Sequence, residues 1–318
     1  MLSACTPSSK YVDNFVQNGS IIGGEPVLAD ESIAKSTVAI LATVITSDGQ
    51  MGRFLCTGSI IAPKVVMTAA HCVPGNEYGR VSYSLIFGTN MKTGGMATRK
   101  VAAAKVHPNY GDGDRRLEET IKRLEKEGNP TGEGVTLSDS EQGADNNDIA
   151  LFKIDGDLPA GFKPAEMLTD DTLLKPGTAV TLAGYGTTSV KKTPVDPAKF
   201  PDLDEAIASG KVSCNYAKTT CFIIRNQNEN ILKKTMVQVT QNFGATEVIL
   251  DQSQGKGACH GDSGGPAFLN VRGVEYLWGV TSRGSGKDGI DDCSDMSIYT
   301  KANDQLDFIN STLKEWGL

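Results

Sequence analysis

Histidine is scarce in this chain, three residues in 318. It is the side chain that exchanges protons near neutral pH, so chemistry of that kind is confined to His71, His107 and His260. Positive charge is in deficit as well. Lys and Arg number 31 against 38 Asp and Glu, a formal charge of −7. That balance argues against nucleic acid as the main partner, because phosphate binding needs a basic footprint. No apolar run approaches the ~18–20 residues of a membrane-spanning helix, and low-complexity or collagen-like repeats are missing. What remains is an ordinary globular composition, 39% hydrophobic and 22% charged, with ample material for a core. The seven cysteines fit an oxidising compartment.

Residues 1–20 are polar, lack a hydrophobic period and read as a leader or pro-segment. Within them, Leu2-Ser3-Ala4-Cys5 is similar to the lipobox that closes a bacterial lipoprotein signal peptide, although the basic and apolar regions that precede a lipobox are missing. Two readings of Cys5 stand: a lipid anchor, or a chance cysteine in a leader. Parity speaks for the first, since the other six cysteines can pair among themselves. From Ile21 onward, short β-rich runs recur at Thr37–Thr46, Gly58–Ile61, Val65–Thr68, Val81–Phe87, Ile149–Ile154, Thr178–Ala183, Met236–Thr240, Glu247–Leu250 and Tyr276–Thr281. Gly, Pro, Asn and Asp clusters separate them, the pattern of an all-β sandwich or barrel rather than of βαβ units. Two segments are expected to be helical. Arg115–Lys126 carries Leu117, Ile121 and Leu124 on one face, and Asn303–Trp316 carries Leu306, Ile309, Leu313 and Trp316 at helical spacing. The stretch 111–145 around the first helix reads as a surface insertion in preference to a binding exosite, and 187–212 as a second inserted loop rich in Pro, Asp and Lys.

Three short blocks carry chemistry. In Gly261-Asp262-Ser263-Gly264-Gly265-Pro266 a serine sits in a run of glycines, where the backbone can turn its N–H groups toward one point. Acyl transfer needs a nucleophilic hydroxyl and donors aimed at the developing oxyanion. Thr68-Ala69-Ala70-His71-Cys72 supplies a candidate base, and Asn146-Asn147-Asp148-Ile149-Ala150-Leu151 supplies a carboxylate. The carboxylate stands beside an apolar strand, where it must be hydrogen-bonded to be tolerated. The chain order is His, Asp, Ser. With Ile21-Ile22-Gly23-Gly24 these blocks resemble the chymotrypsin/trypsin-fold serine endopeptidases over nearly everything after residue 20, in a bacterial member.

The resemblance implies two antiparallel six-stranded β-barrels, at about 21–155 and 175–300, with the active site in the cleft between them and a C-terminal helix at about 303–316. Ser263 would be the nucleophile, His71 the general base and then acid, and Asp148 the orienter of the imidazole. Oxyanion donors would be the N–H groups of Gly261 and Ser263. Activity would fall as His71 protonates, with an apparent pKa near ~7. His107 has no catalytic counterpart in the family, and His260 would line the pocket rim. The implied disulfides are Cys56–Cys72, Cys259–Cys293 and Cys214–Cys221. The last departs from the family's usual spacing, and its alternatives are two free thiols or a bond to Cys5.

Cleavage at Ser20-Ile21 would free an α-ammonium to pair with Asp262, and Ser20 disfavours a trypsin-like activator. Gly257 stands where trypsin-like members carry the aspartate that binds Arg or Lys, so non-tryptic specificity is expected. Ser282-Arg283-Gly284 would pair with substrate backbone; Gly284 would leave one pocket wall open, Ser297 would narrow it, and Asp295 would restore some basic preference if it points inward. Arg283, in place of the family's Trp, would favour acidic groups at outer subsites. Protein or peptide substrates, an activating protease, a monomeric state, a secreted, periplasmic or cell-surface location and no metal or cofactor complete the expectation. The competing reading is a catalytically silent binding or adhesion protein on the same fold.

Overall fold

The computed structural model describes residues 21–75, 79–93, 96–129 and 135–318. Six strands close the first barrel: β1 Thr37–Ile45, β2 Met51–Ala62, β3 Val65–Thr68, β4 Arg80–Phe87, β5 Ala97–Val106 and β6 Ala150–Ile154, in the order β1-β2-β3-β6-β5-β4. Every pairing is antiparallel, and β4 returns to β1 to close the ring. The interior is filled by β-branched and large apolar residues, among them Val38, Ile40, Ile60, Val66, Leu85 and Phe152, each fully buried. Such side chains suit a pleated surface closed on itself, which leaves no sheet edge exposed.

The second barrel is built in the same way. Its strands are β7 Ala179–Gly184, β8 Lys233–Phe243, β9 Glu247–Asp251, β10 Pro266–Val271, β11 Val274–Ser285 and β12 Met296–Lys301. They run in the ring β7-β8-β9-β12-β11-β10, all antiparallel. Along β8, buried and exposed residues alternate over most of its length, the period-2 signature of a wall with one wet face. Trp278, Tyr299, Leu182, Val248 and Leu250 fill the interior. The crossing between the barrels holds the two-residue strand Glu166–Met167, which pairs in parallel with β11. The C-terminal segment begins as a single 3₁₀ turn at Asn303–Gln305 and continues as the helix Leu306–Glu315, burying Phe308 and Ile309. The two-barrel architecture expected from the resemblance is thus present.

Two sequence expectations need correction. The segment 187–212 is not an irregular loop. Strands Ser189–Val195, Ser213–Cys214 and Cys221–Gln227 form a separate three-stranded sheet, and the helix Leu203–Ala208, capped by Asp202, packs on it. Ala206, Val212 and the bonded Cys214–Cys221 pair make its small core. The helix of the 111–145 insertion runs from Asp112, three residues earlier than expected, to Lys126. Asp112 and Asp114 in its first turn and Arg123 and Lys126 in its last complement the helix dipole, and Leu124 is its buried apolar anchor.

Candidate active site

Both barrels contribute to the cleft. His71 lies on the 3₁₀ turn Ala70–Cys72 that follows β3, and Cys72 in that turn is bonded to Cys56 of β2. Asp148 stands two residues before β6. The strands β3 and β6 are hydrogen-bonded neighbours, so the register Thr68↔Ala150 brings the two segments together. Asp148 Oδ2 lies 2.7 Å from His71 Nδ1, and its Oδ1 accepts the His71 backbone N–H at 3.0 Å. A second donor comes from the other barrel, the Ser282 hydroxyl on β11, at 2.7 Å from Oδ2. Burial alone would raise this carboxyl. The His71 charge, with the hydrogen bonds from His71 and Ser282, outweighs burial and holds it below the usual carboxylate range.

Ser263 sits partly exposed on the loop before β10. Its carbonyl accepts the Thr57 N–H at 2.8 Å, and the Thr57 hydroxyl donates to the Gly261 carbonyl at 3.0 Å. One residue of β2 therefore clamps the serine loop across the gap between barrels. The peptide planes of the loop are fixed from their carbonyl sides. The His260 carbonyl accepts the Thr187 N–H at 2.9 Å, and the Asp262 carbonyl accepts the Gly265 N–H at 2.8 Å. A trans peptide points N–H opposite to C=O. Those two bonds therefore set the direction of the N–H groups of Gly261 and Ser263. Gly261 has φ +92°, a left-handed conformation that favours glycine.

Asp262 points away from the cleft. It is wholly buried, accepting the Gly186 N–H at 2.6 Å and the Cys259 N–H at 2.9 Å. A side chain at Gly186 would overlap the carboxylate. Burial pushes its pKa up to about 7, against the lowering effect of those two hydrogen bonds and of His260. No ion pair to Asp262 is formed among the described residues. Nearby, Ile21 is 1% exposed, and Ile22 exchanges two backbone hydrogen bonds with Gly257, at 2.9 and 3.1 Å.

Gly257 has φ +154°, and a Cβ there would overlap the Gln252 side-chain amide. Gln252, 1% exposed, is a residue that sequence reasoning missed. Its amide accepts the Ala258 N–H at 2.6 Å and donates to the carbonyls of Ala258 and Cys293, bridging the two segments joined by the Cys259–Cys293 disulfide. Gly284 and Ser297 face each other in the β11–β12 register. Ser297 is 2% exposed. Asp295 holds this region through its backbone, donating to Ser285 and accepting from Gln252. The His260 ring lies 3.4 Å from Asp291. His107 instead packs edge-on against Phe308, and its Nδ1 accepts the Asn109 N–H. The Cys56-His71-Cys72 and Cys259-His260-Cys293 groupings put thiol sulfurs near histidine, but both cysteine pairs are disulfides and offer no thiolate to a metal.

Arg283 departs from expectation. Its side chain is 3% exposed and turned into the protein, where it pairs with fully buried Glu247. A guanidinium so placed has no charge to offer an acidic group at an outer subsite. Glu247 was not anticipated. Its signal was an acidic residue opening the apolar run Val248-Ile249-Leu250, a position where only a paired carboxylate is tolerated. Cys5 and Ser20 lie outside the described residues.

Comparison with known proteins identifies the family. The family model described as Trypsin matches residues 34–309. The chain is 25% identical to a trypsin of Saccharopolyspora erythraea, over 84% of this chain and 87% of that protein. It is 27% identical to Trypsin Tyr p 3.0101 of Tyrophagus putrescentiae, over 94% and 82%. It is 23% identical to Serine protease Hayan of Drosophila melanogaster over 90% of this chain, which spans only 39% of Hayan's length. The chain belongs to the trypsin family and is a serine-type endopeptidase.

Proposed function

We propose that peptide bonds are cleaved through an acyl-enzyme on Ser263. The observation that carries this reading is the double hold of Asp148 on His71, by the ring Nδ1 and by the backbone N–H. It fixes the ring's position and tautomer and leaves Nε2 as the basic edge. Ser263 Oγ attacks the scissile carbonyl and gives its proton to His71 Nε2. The oxyanion is received by the N–H groups of Gly261 and Ser263. The tetrahedral species then collapses, His71 hands its proton to the departing amine, and the acyl group stays on Oγ. Water, deprotonated by His71, releases the acid by the reverse sequence.

We assign activation to cleavage between Ser20 and Ile21. The buried seat of Ile21, the docking of Ile22 on Gly257 and the burial of Asp262 without an ion pair among the described residues support an ammonium partner for this carboxylate. Ser20 is not a basic residue, so the activating protease is not trypsin-like.

Relatives carry the name trypsin, yet position 257 cannot hold the carboxylate that selects Arg or Lys in that family, for want of space beside Gln252. A small or medium uncharged side chain before the scissile bond suits this pocket. Digestion of a mixed peptide library by the processed protein, with cleavage sites read by mass spectrometry, tests this. Cuts after uncharged residues should exceed cuts after Lys or Arg by at least ~10²-fold in kcat/KM. Fast cleavage after Lys or Arg would refute the pocket assignment.

Protein or peptide is the substrate of the family. We place the enzyme in an oxidising, extracytoplasmic compartment, where its disulfides persist. No helix among the described residues is long and apolar enough to cross a membrane. Attachment through a lipid on Cys5 is part of this proposal, and the mass of the N-terminal peptide of the uncleaved protein, which retains Cys5, tests it directly.

A further inference from the structure

Arg283 follows Ser282 on β11, and its guanidinium is engaged on three sides. Two nitrogens meet the two oxygens of Glu247 at 2.7 and 2.9 Å. One also donates to the Gly143 carbonyl at 2.9 Å, and the other to the Ser282 hydroxyl oxygen at 3.2 Å. That hydroxyl gives its one proton to Asp148 Oδ2. The polarity runs in one direction, from cation to hydroxyl to carboxylate, so each bond strengthens the next. Glu247 is fixed in turn by the Asp145 N–H at 3.0 Å. Gly143 and Asp145 belong to the end of the 111–145 insertion, whose helix holds them through Arg116 on the Ala144 carbonyl and Asp114 on Asn146. The insertion thus supports the guanidinium that backs the active-site carboxylate.

A buried ion pair of this kind is poor evidence of stabilisation, because removing two charges from water costs about what their attraction returns. We infer that Arg283 and Glu247 form a positioning pair, which fixes the Ser282–Asp148 contact and sets the charge that His71 experiences. The inference rests on the proposed role of Ser263 and His71. Arg283 does not touch substrate; it acts through Ser282 and Asp148. The charged groups of this cluster come from several elements. His71 faces Asp148 from the first barrel, Arg283 and Glu247 from the second, Asp145 from the insertion's end and Asp114 from its helix. Arg283 is the nearer member of the pair to Asp148, since Glu247 is held on the guanidinium and has no bond to Ser282.

The sign of each substitution follows. Glu247→Gln leaves the cation uncompensated, which disfavours imidazolium at His71 and moves the acid limb of activity to lower pH. Arg283→Gln removes the cation and moves the limb to higher pH. Arg283→Lys keeps the charge, so the limb holds its place while the rate falls with the lost bidentate contact. The readout is the second-order rate of fluorophosphonate labelling at Ser263 against pH, on protein processed to begin at Ile21. Opposite displacements of about 0.5–1 pH unit are expected for the two single variants. Should either fail to fold, the neutral pair Arg283→Gln with Glu247→Gln leaves no buried unpaired charge. It should move the limb up, by less than Arg283→Gln alone. Folded variants that all keep the wild-type limb would overturn the inference, whereas a wild-type protein that is not labelled at any pH would overturn the role of Ser263 itself.

Discussion

Ser263→Ala should lower kcat by roughly 10⁶-fold while leaving the fold intact. The fold holds Ser263 through its backbone. Its carbonyl accepts the Thr57 N–H at 2.8 Å and faces Cys72 Sγ at 3.7 Å. Alanine keeps that carbonyl and removes only the hydroxyl. The Gly261 and Ser263 N–H groups keep their orientation, since the bonds that set it are made by the His260 and Asp262 carbonyls. A small residual rate above that in water should therefore survive, from the donors and from binding alone. Hydrolysis of a peptide substrate and thermal unfolding, measured on the same sample, check both halves. Turnover near wild type would remove Ser263 from its role. His71→Ala should cost nearly as much, and adding it to Ser263→Ala should cost almost nothing more, because the residues act as a unit.

Asp262 governs the second large effect. In the uncleaved chain its carboxyl is buried with two backbone donors and a pKa pushed up to about 7, against 3.8 for an ordinary aspartate. The folded state therefore holds a proton that the unfolded state has already released. This contribution to stability is whole below pH 3.8, falls as pH rises, and is lost above about pH 7. The loss is on the order of 4 kcal/mol. Under the proposed activation, cleavage before Ile21 would supply an ammonium beside which the carboxylate ionises, and the decline should disappear. Denaturant midpoints between pH 4 and 8 for uncleaved and cleaved protein measure the difference. Asp262→Asn should abolish the decline in the uncleaved form. It should also lower activity after cleavage by ~10²-fold or more, because an amide opposes one of its present donors with another donor. Unchanged activity in that variant would sink the ion-pair switch.

The sequence made the chemistry easier to read than the scaffold. His71, Asp148 and Ser263 stand in blocks whose residue types are those the proposed reaction needs, and their order along the chain carries information of its own. Strand β5 offered no comparable signal. Its Ala97-Thr98-Arg99-Lys100-Val101-Ala102-Ala103-Ala104-Lys105-Val106 has few β-branched residues and no fully buried one, so barrel closure rather than local preference makes it a strand. The side sheet was hidden for a similar reason. Lys191 and Lys192 in its first strand are exposed, and its core is only a few residues deep. The direction of Arg283 could not be read locally at all. Its partner Glu247 lies 36 residues away, and only the meeting of β9, β11 and β12 brings them together.

The most direct test is to react the purified protein with a fluorophosphonate and to map the adduct and the N-terminus of the same molecules by mass spectrometry. Labelling at Ser263 in molecules that begin at Ile21, and not in those that retain the leader, is the predicted result. No labelling after cleavage before Ile21 would contradict the account, and a binding protein on this fold would become the better description.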